Sequence, residues 1–191
     1  MLRTHRLAPA VATVVLAAAA LATAGTAHAA PARTSTAHTG ATLDVSCSQA
    51  YLPLPDSACT PGATNPDVTQ DTIDSTICVP GYSTSIRPST SYTNRLKVQQ
   101  IAQYGYADTN TADYEEDHFI PLSLGGNPTD PNNLWPEPRY SADSSGLTST
   151  DKDTVEYKLY RAVCNHQVSL VPAQQAVATN WTTALSVLGL G

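Results

Sequence analysis

The stretch "YEEDHFIPLSLGGNPTDPNNLWPEP", Tyr114–Pro138, decides how this chain folds. Tyr114 to Leu124 reads as a strand around "DHFIPL", with Pro121 marking a bulge or an edge. "LGGNPTDPNN" is turn chemistry throughout, and "NLW" returns as a second short strand, which makes a hairpin with a long connection. Side chains alternate along a strand, so neighbours Asp117 and His118 point to opposite faces. A carboxylate suits a hard divalent ion, and a neutral imidazole near pH 7 can take a proton from an attacking water. The Asp-His pair alone says little, since a satisfied strand histidine beside a surface aspartate looks the same. The asparagine pair before Trp135 adds the missing element. An asparagine on the returning strand can hydrogen-bond the backbone or the imidazole and hold one histidine tautomer.

Helices flank this hairpin. Tyr92, Leu96, Ile101 and Tyr104 recur in a segment free of Gly and Pro, with Ser91 available as N-cap and Gly105 past the end, which predicts a helix of about three turns. "STDKDTVEYKLYRAVCN" predicts a second, capped by Ser149 or Thr150, with Val155, Leu159, Ala162 and Val163 on one face. Glu156 borders that apolar stripe, whereas Asp153 points toward the open side. A last helix is expected from Leu170 to Leu185, capped by Ser169, with Ala173, Val177, Trp181 and Ala184 inward. The Pro- and Gly-rich segment from Cys47 to Pro88 reads as loops and short strands such as "STICV".

Arg3, His5 and Arg6 precede an Ala-rich apolar run, and "AHA" at 27–29 has the small-x-small form of a cleavage site, so residues 1–29 read as a secretory signal peptide. Residues 30–46 read as a flexible tail and residues 47–191 as one domain. An even count of four cysteines in an exported chain implies two disulfides. Three pairings are open, and the expected one is Cys47–Cys59 with Cys78–Cys164. Sixteen acidic residues face ten basic ones, and two of those ten leave with the signal peptide, which argues against a broad cationic surface, so any grip on a polyanion has to be local or assisted by a metal ion. Only His118 and His166 can belong to a folded site, which argues against a His-rich zinc centre.

Asp-His-hydrophobic-x-Pro-Leu-x-Leu-Gly-Gly, a turn, then Asn-Leu-Trp-Pro resembles the HNH endonuclease motif, a ββα-metal fold in which a hairpin and a helix clasp one divalent cation. "CTPGA", "TIC", "KD..E..L" and "VC" extend the resemblance more loosely, from Cys59 to Trp181, to secreted actinobacterial HNH-like proteins. The resemblance implies an α+β fold with a ββα-metal (HNH-like) core, flanking helices and disulfide stabilisation. It implies His118 as general base, Asp117 as metal ligand, and Asn133 as the residue positioning His118, with Asn132 the alternative. The helix lacks the histidine or asparagine that usually completes the motif and offers Lys152, Asp153 and Glu156. Glu156 is the expected second metal ligand and Asp153 the next choice.

The implied cofactor is a divalent metal, Mg²⁺ first, with Mn²⁺ or Zn²⁺ as alternatives. The implied partner is nucleic acid, DNA ahead of RNA, acted on by a secreted monomer with no stable membrane association after signal cleavage. The competing readings are a non-catalytic secreted binding or structural module on a degenerate HNH fold, and a metal-independent glycosidase using two of Glu115, Glu116 and Glu156. Arg87, Arg95, Lys97 and Arg139 are scattered cations that could touch phosphates.

Overall fold

The computed structural model describes residues 46–191; the signal-peptide reading and the tail reading, apart from Ser46, lie outside them. The elements run α1 (Tyr82–Ile86), α2 (Thr90–Gln103), β1 (Tyr114–His118), β2 (Leu134–Pro138), α3 (Ser149–Cys164), α4 (Leu170–Asn180) and α5 (Ala184–Val187), joined by short 3-10 turns. The architecture is α+β, with β1 and β2 forming a two-stranded antiparallel sheet.

The ladder explains how two prolines fit a strand. Glu115 faces Glu137 and Asp117 faces Trp135. Main-chain bonds from Arg139 N–H to Asp113 O (2.9 Å) and from Phe119 N–H to Asn133 O (2.8 Å) bracket these pairs. Bonded pairs alternate in an antiparallel ladder, so Pro136 and Pro138 stand at positions whose N–H would point away from β1. β1 ends at His118, earlier than the expected Leu124, because the chain turns at Pro121 into a 3-10 turn over Leu122–Leu124. Gly125 then adopts φ 73°, and a Cβ on Gly126 would lie 1.7 Å from the Ile120 carbonyl oxygen. The first glycine supplies a left-handed conformation, and the second allows two stretches of backbone to touch.

The expected helices are present with different caps. Ser89 rather than Ser91 caps α2, accepting from Tyr92 N–H (3.4 Å). Thr148 rather than Ser149 or Thr150 begins α3, its N–H and Oγ1 both donating to Asp151 Oδ2 at 2.9 Å. The expected last helix is broken at Asn180, whose side chain accepts from Thr182 N–H (3.0 Å) and leads into a 3-10 turn. Its inner face is as expected, with Ala173, Val177, Trp181 and Ala184 buried. "STICV" forms no strand: Ile73–Ser75 is a 3-10 turn, and Cys78 N–H returns to Ile73 O (3.0 Å), folding Ile73 and Ile77 into the core. His166 follows α3 with φ 57° and its N–H on Val163 O (2.9 Å), a helix-terminal residue as its position suggests.

Two disulfides form, Cys47–Cys59 and Cys78–Cys164, with Cα separations of 5.9 and 5.5 Å. No helix among the described residues is long and apolar enough to cross a membrane. The bridges span 12 and 86 residues. By loop entropy, removing Cys47–Cys59 should cost about 3 kcal/mol and removing Cys78–Cys164 about 4.5 kcal/mol. Urea unfolding of the two double Cys→Ala variants checks that order.

Candidate active site at the junction of hairpin and helix

The first turn of α3 lies against the end of β1, and a lysine makes the join. Lys152, 0% exposed, places Nζ 2.6 Å from Asp117 Oδ2 and 3.4 Å from the His118 carbonyl oxygen. The same ammonium also donates to Glu156 Oε1, one turn further along α3. Burial pulls the Lys152 ammonium down, but Asp117, Glu156 and Glu137 more than reverse this and hold its pKa well above the usual lysine value. Glu156 is pushed up to about 7 by burial, with Lys152 opposing and Asp117 adding to the rise. Glu137, 4% exposed on β2, is raised well above the usual carboxylate range by burial and by the Asp117 charge. One cation thus serves more carboxylates than it can neutralise.

His118 points elsewhere, as strand alternation requires. It is 4% exposed, and Nε2 lies 3.0 Å from the Pro128 carbonyl oxygen. A carbonyl only accepts, so Nε2 carries the proton and Nδ1 keeps the lone pair. Among the described residues Nδ1 has no hydrogen-bond partner, yet it is not one of the polar atoms sealed from solvent without one. Burial lowers the imidazole pKa below 6.5, the strongest opposing effect being the Pro128 bond, and the Arg87 and Lys152 charges lower it further. The ring is a neutral base at pH 7.

Asn133 supports this arrangement without hydrogen-bonding the imidazole. It is 0% exposed, whereas Asn132 is exposed. Its Nδ2 donates to the Ile120 and Asn127 carbonyls, both at 3.0 Å, and its Oδ1 accepts from Ile120 N–H (2.9 Å) and Ala63 N–H (3.3 Å). The side chain therefore pins both ends of the hairpin connection, and Pro128, next to Asn127, presents its carbonyl to His118.

The expected site residues separate accordingly. Asp117 and Glu156 converge on one point, and Lys152 holds that point. Asp153 is exposed and reaches the cluster only through its charge. No group of three or more His, Cys, Asp or Glu suited to a metal exists among the described residues. With both convergent carboxylates spent on a buried ammonium, the donor set as arranged does not fit a divalent ion between them. Lys152 was open to detection in the sequence, since 152, 156, 159 and 163 share one helix face with the apolar stripe. Glu115 pairs with Arg139 at 2.9 Å. Lys97 bonds the Thr111 and Tyr114 carbonyls at 2.9 and 3.0 Å, so it serves the backbone. Arg87 is exposed and forms no salt bridge among the described residues.

No family model matches the sequence, no curated protein matches it, and no solved structure matches it.

Two stability predictions follow from the buried polar groups. Asn133→Ala leaves several buried main-chain groups unpaired and should cost about 3 kcal/mol or more in urea unfolding. Both Glu116 oxygens are buried without a hydrogen-bond partner, and burial raises its pKa to about 8. The native state binds the extra proton, so this group makes stability fall as pH rises from about 4.5 to about 8. Glu116→Gln should match wild type near pH 4 and become the more stable protein at pH 8, measured by denaturant midpoints.

Proposed function

We propose that the protein hydrolyses phosphodiester bonds in nucleic acid, with His118 as general base on an HNH-like ββα core built from β1, β2 and α3. The observation that carries this reading is the His118 tautomer. The Pro128 carbonyl fixes the proton on Nε2, burial keeps the ring neutral, and Nδ1 retains a lone pair with no protein partner. In the proposed step Nδ1 takes a proton from a water whose oxygen attacks phosphorus. The ester P–O bond breaks with its electron pair on the departing alcohol oxygen, which takes a proton from bulk water, and the imidazolium returns its proton to solvent. In this reading Arg87, exposed and close enough for its charge to act on the imidazole, meets a phosphate oxygen. The two disulfides are compatible with action outside the cell.

The non-catalytic module is the second reading, and Lys152 favours it. A site whose convergent carboxylates are already engaged by a buried lysine also makes a stable structural junction. The glycosidase reading loses one of its possible pairs, because Glu115 and Glu116 stand on opposite faces of β1.

Digestion of plasmid DNA and of a structured RNA separates these readings. The nuclease reading expects cleavage by wild type and a loss of about 10²–10⁴-fold in kcat/KM for His118→Ala. Because the base must be neutral, activity should fall only on the acid side, with the limb below pH 6.5. No cleavage of either substrate, or cleavage untouched by His118→Ala, rejects the mechanism.

A further inference from the structure

Lys152 stands where a lysine is least expected. It lies in the first turn of α3, where the helix dipole disfavours positive charge, and it is the N-terminal member of an i,i+4 pair with Glu156, the weaker orientation. It is also completely buried. Burying an ammonium is costly, and ion pairs of this kind are often no more stabilising than an apolar replacement of the whole group. The lysine is nevertheless held by three oxygens, from Asp117, Glu156 and the His118 main chain, with a third carboxylate, Glu137, in its field. Oxygen donors converging on one buried positive charge are what a hard cation requires.

We propose that Lys152 is the built-in cation of this site, its ammonium occupying the place between Asp117 and Glu156 that the HNH resemblance gives to a divalent ion. Wild-type protein then takes up no divalent ion between these two carboxylates, and shortening the lysine side chain opens a divalent-cation site there. Through its bonds to Asp117 and to the His118 carbonyl oxygen, Lys152 is a positioning residue for His118. Only this last point rests on the nuclease reading.

Calorimetric titration with Mn²⁺ and thermal unfolding with Mn²⁺ or EDTA test the proposal on the folded protein. Wild type should show no Asp117-dependent binding, and its Tm should be the same in Mn²⁺ and in EDTA. Lys152→Ala should bind one Mn²⁺ per chain, with a Tm that rises with Mn²⁺ and loses that response when Asp117→Asn is added. If Lys152→Ala does not fold, the wild-type comparison with Asp117→Asn decides alone. Wild-type uptake of one Mn²⁺ that Asp117→Asn abolishes would overturn the proposal, as would a folded Lys152→Ala that binds none. Nuclease activity is scored separately. A wild type that neither cuts nucleic acid nor binds Mn²⁺ rejects the nuclease reading and leaves Lys152 in its place. Cleavage that persists in EDTA supports both ideas, and cleavage only with an ion held by Asp117 keeps the nuclease and rejects the built-in cation.

Discussion

A single buried ammonium ties the sheet to the helix that follows it. Lys152 bonds Asp117 and the His118 carbonyl on β1 and Glu156 on its own helix, so the relative placement of β1 and α3 is set by charge as well as by apolar contact. The bond set is demanding. If any one oxygen moved away, a charge with almost no exposure to water would be left partly unpaired, which costs far more than an exposed pair could return. The apolar stripe of Leu159 and Val163 continues the same helix face into the core, and Cys78–Cys164 closes its far end. α3 is therefore anchored electrostatically at its start and covalently at its finish.

The hairpin is held by a different device. Asn133 satisfies main-chain groups at Ile120, Asn127 and Ala63 at once, which a backbone ladder could not do across such an irregular connection. Gly126 makes this possible, because its lack of a Cβ lets the Ile120 carbonyl come close. The consequence reaches His118 at one remove. With Asn127 fixed, the Pro128 carbonyl faces Nε2, and the tautomer follows from where a loop carbonyl sits rather than from a side-chain partner.

Much of this was legible in the sequence. Turn residues from Gly125 to Asn132 gave the hairpin, the 3.6-residue spacing of Leu159 and Val163 gave α3 and its inner face, and an even cysteine count gave two bridges. The inner face of the last helix was likewise legible in Ala173, Val177, Trp181 and Ala184. Helix starts were misplaced because Ser, Thr and Asp cluster there, and the choice among neighbours depends on which backbone N–H points at which oxygen. "STICV" suggested a strand because Ile and Val favour strands, but Cys78 and the core hold it as a turn. The role of Asn133 could be narrowed only to backbone or imidazole, since the answer depends on how the loop closes. Lys152 was passed over because lysine is almost always solvated, and its position on the buried stripe becomes decisive only once β1 is known to lie beneath it. Glu116 has no sequence signal at all, because its burial comes from packing between distant segments.

The distribution of charge limits how a polyanion could approach this site. Asp117, Glu156, Glu137, Glu115 and Asp153 gather on the α3 side, with Lys152 buried among them and Arg139 engaged with Glu115. A phosphate arriving there would meet carboxylates before any accessible positive charge. The imidazole offers another direction, because strand alternation turns His118 away from Asp117, and Arg87 is exposed within its electrostatic reach. The division is a direct result of two neighbours on one strand pointing apart. Asp117 is committed inward to Lys152, where it stabilises the junction, while His118 turns to the other face of the strand, where Nε2 meets the Pro128 carbonyl.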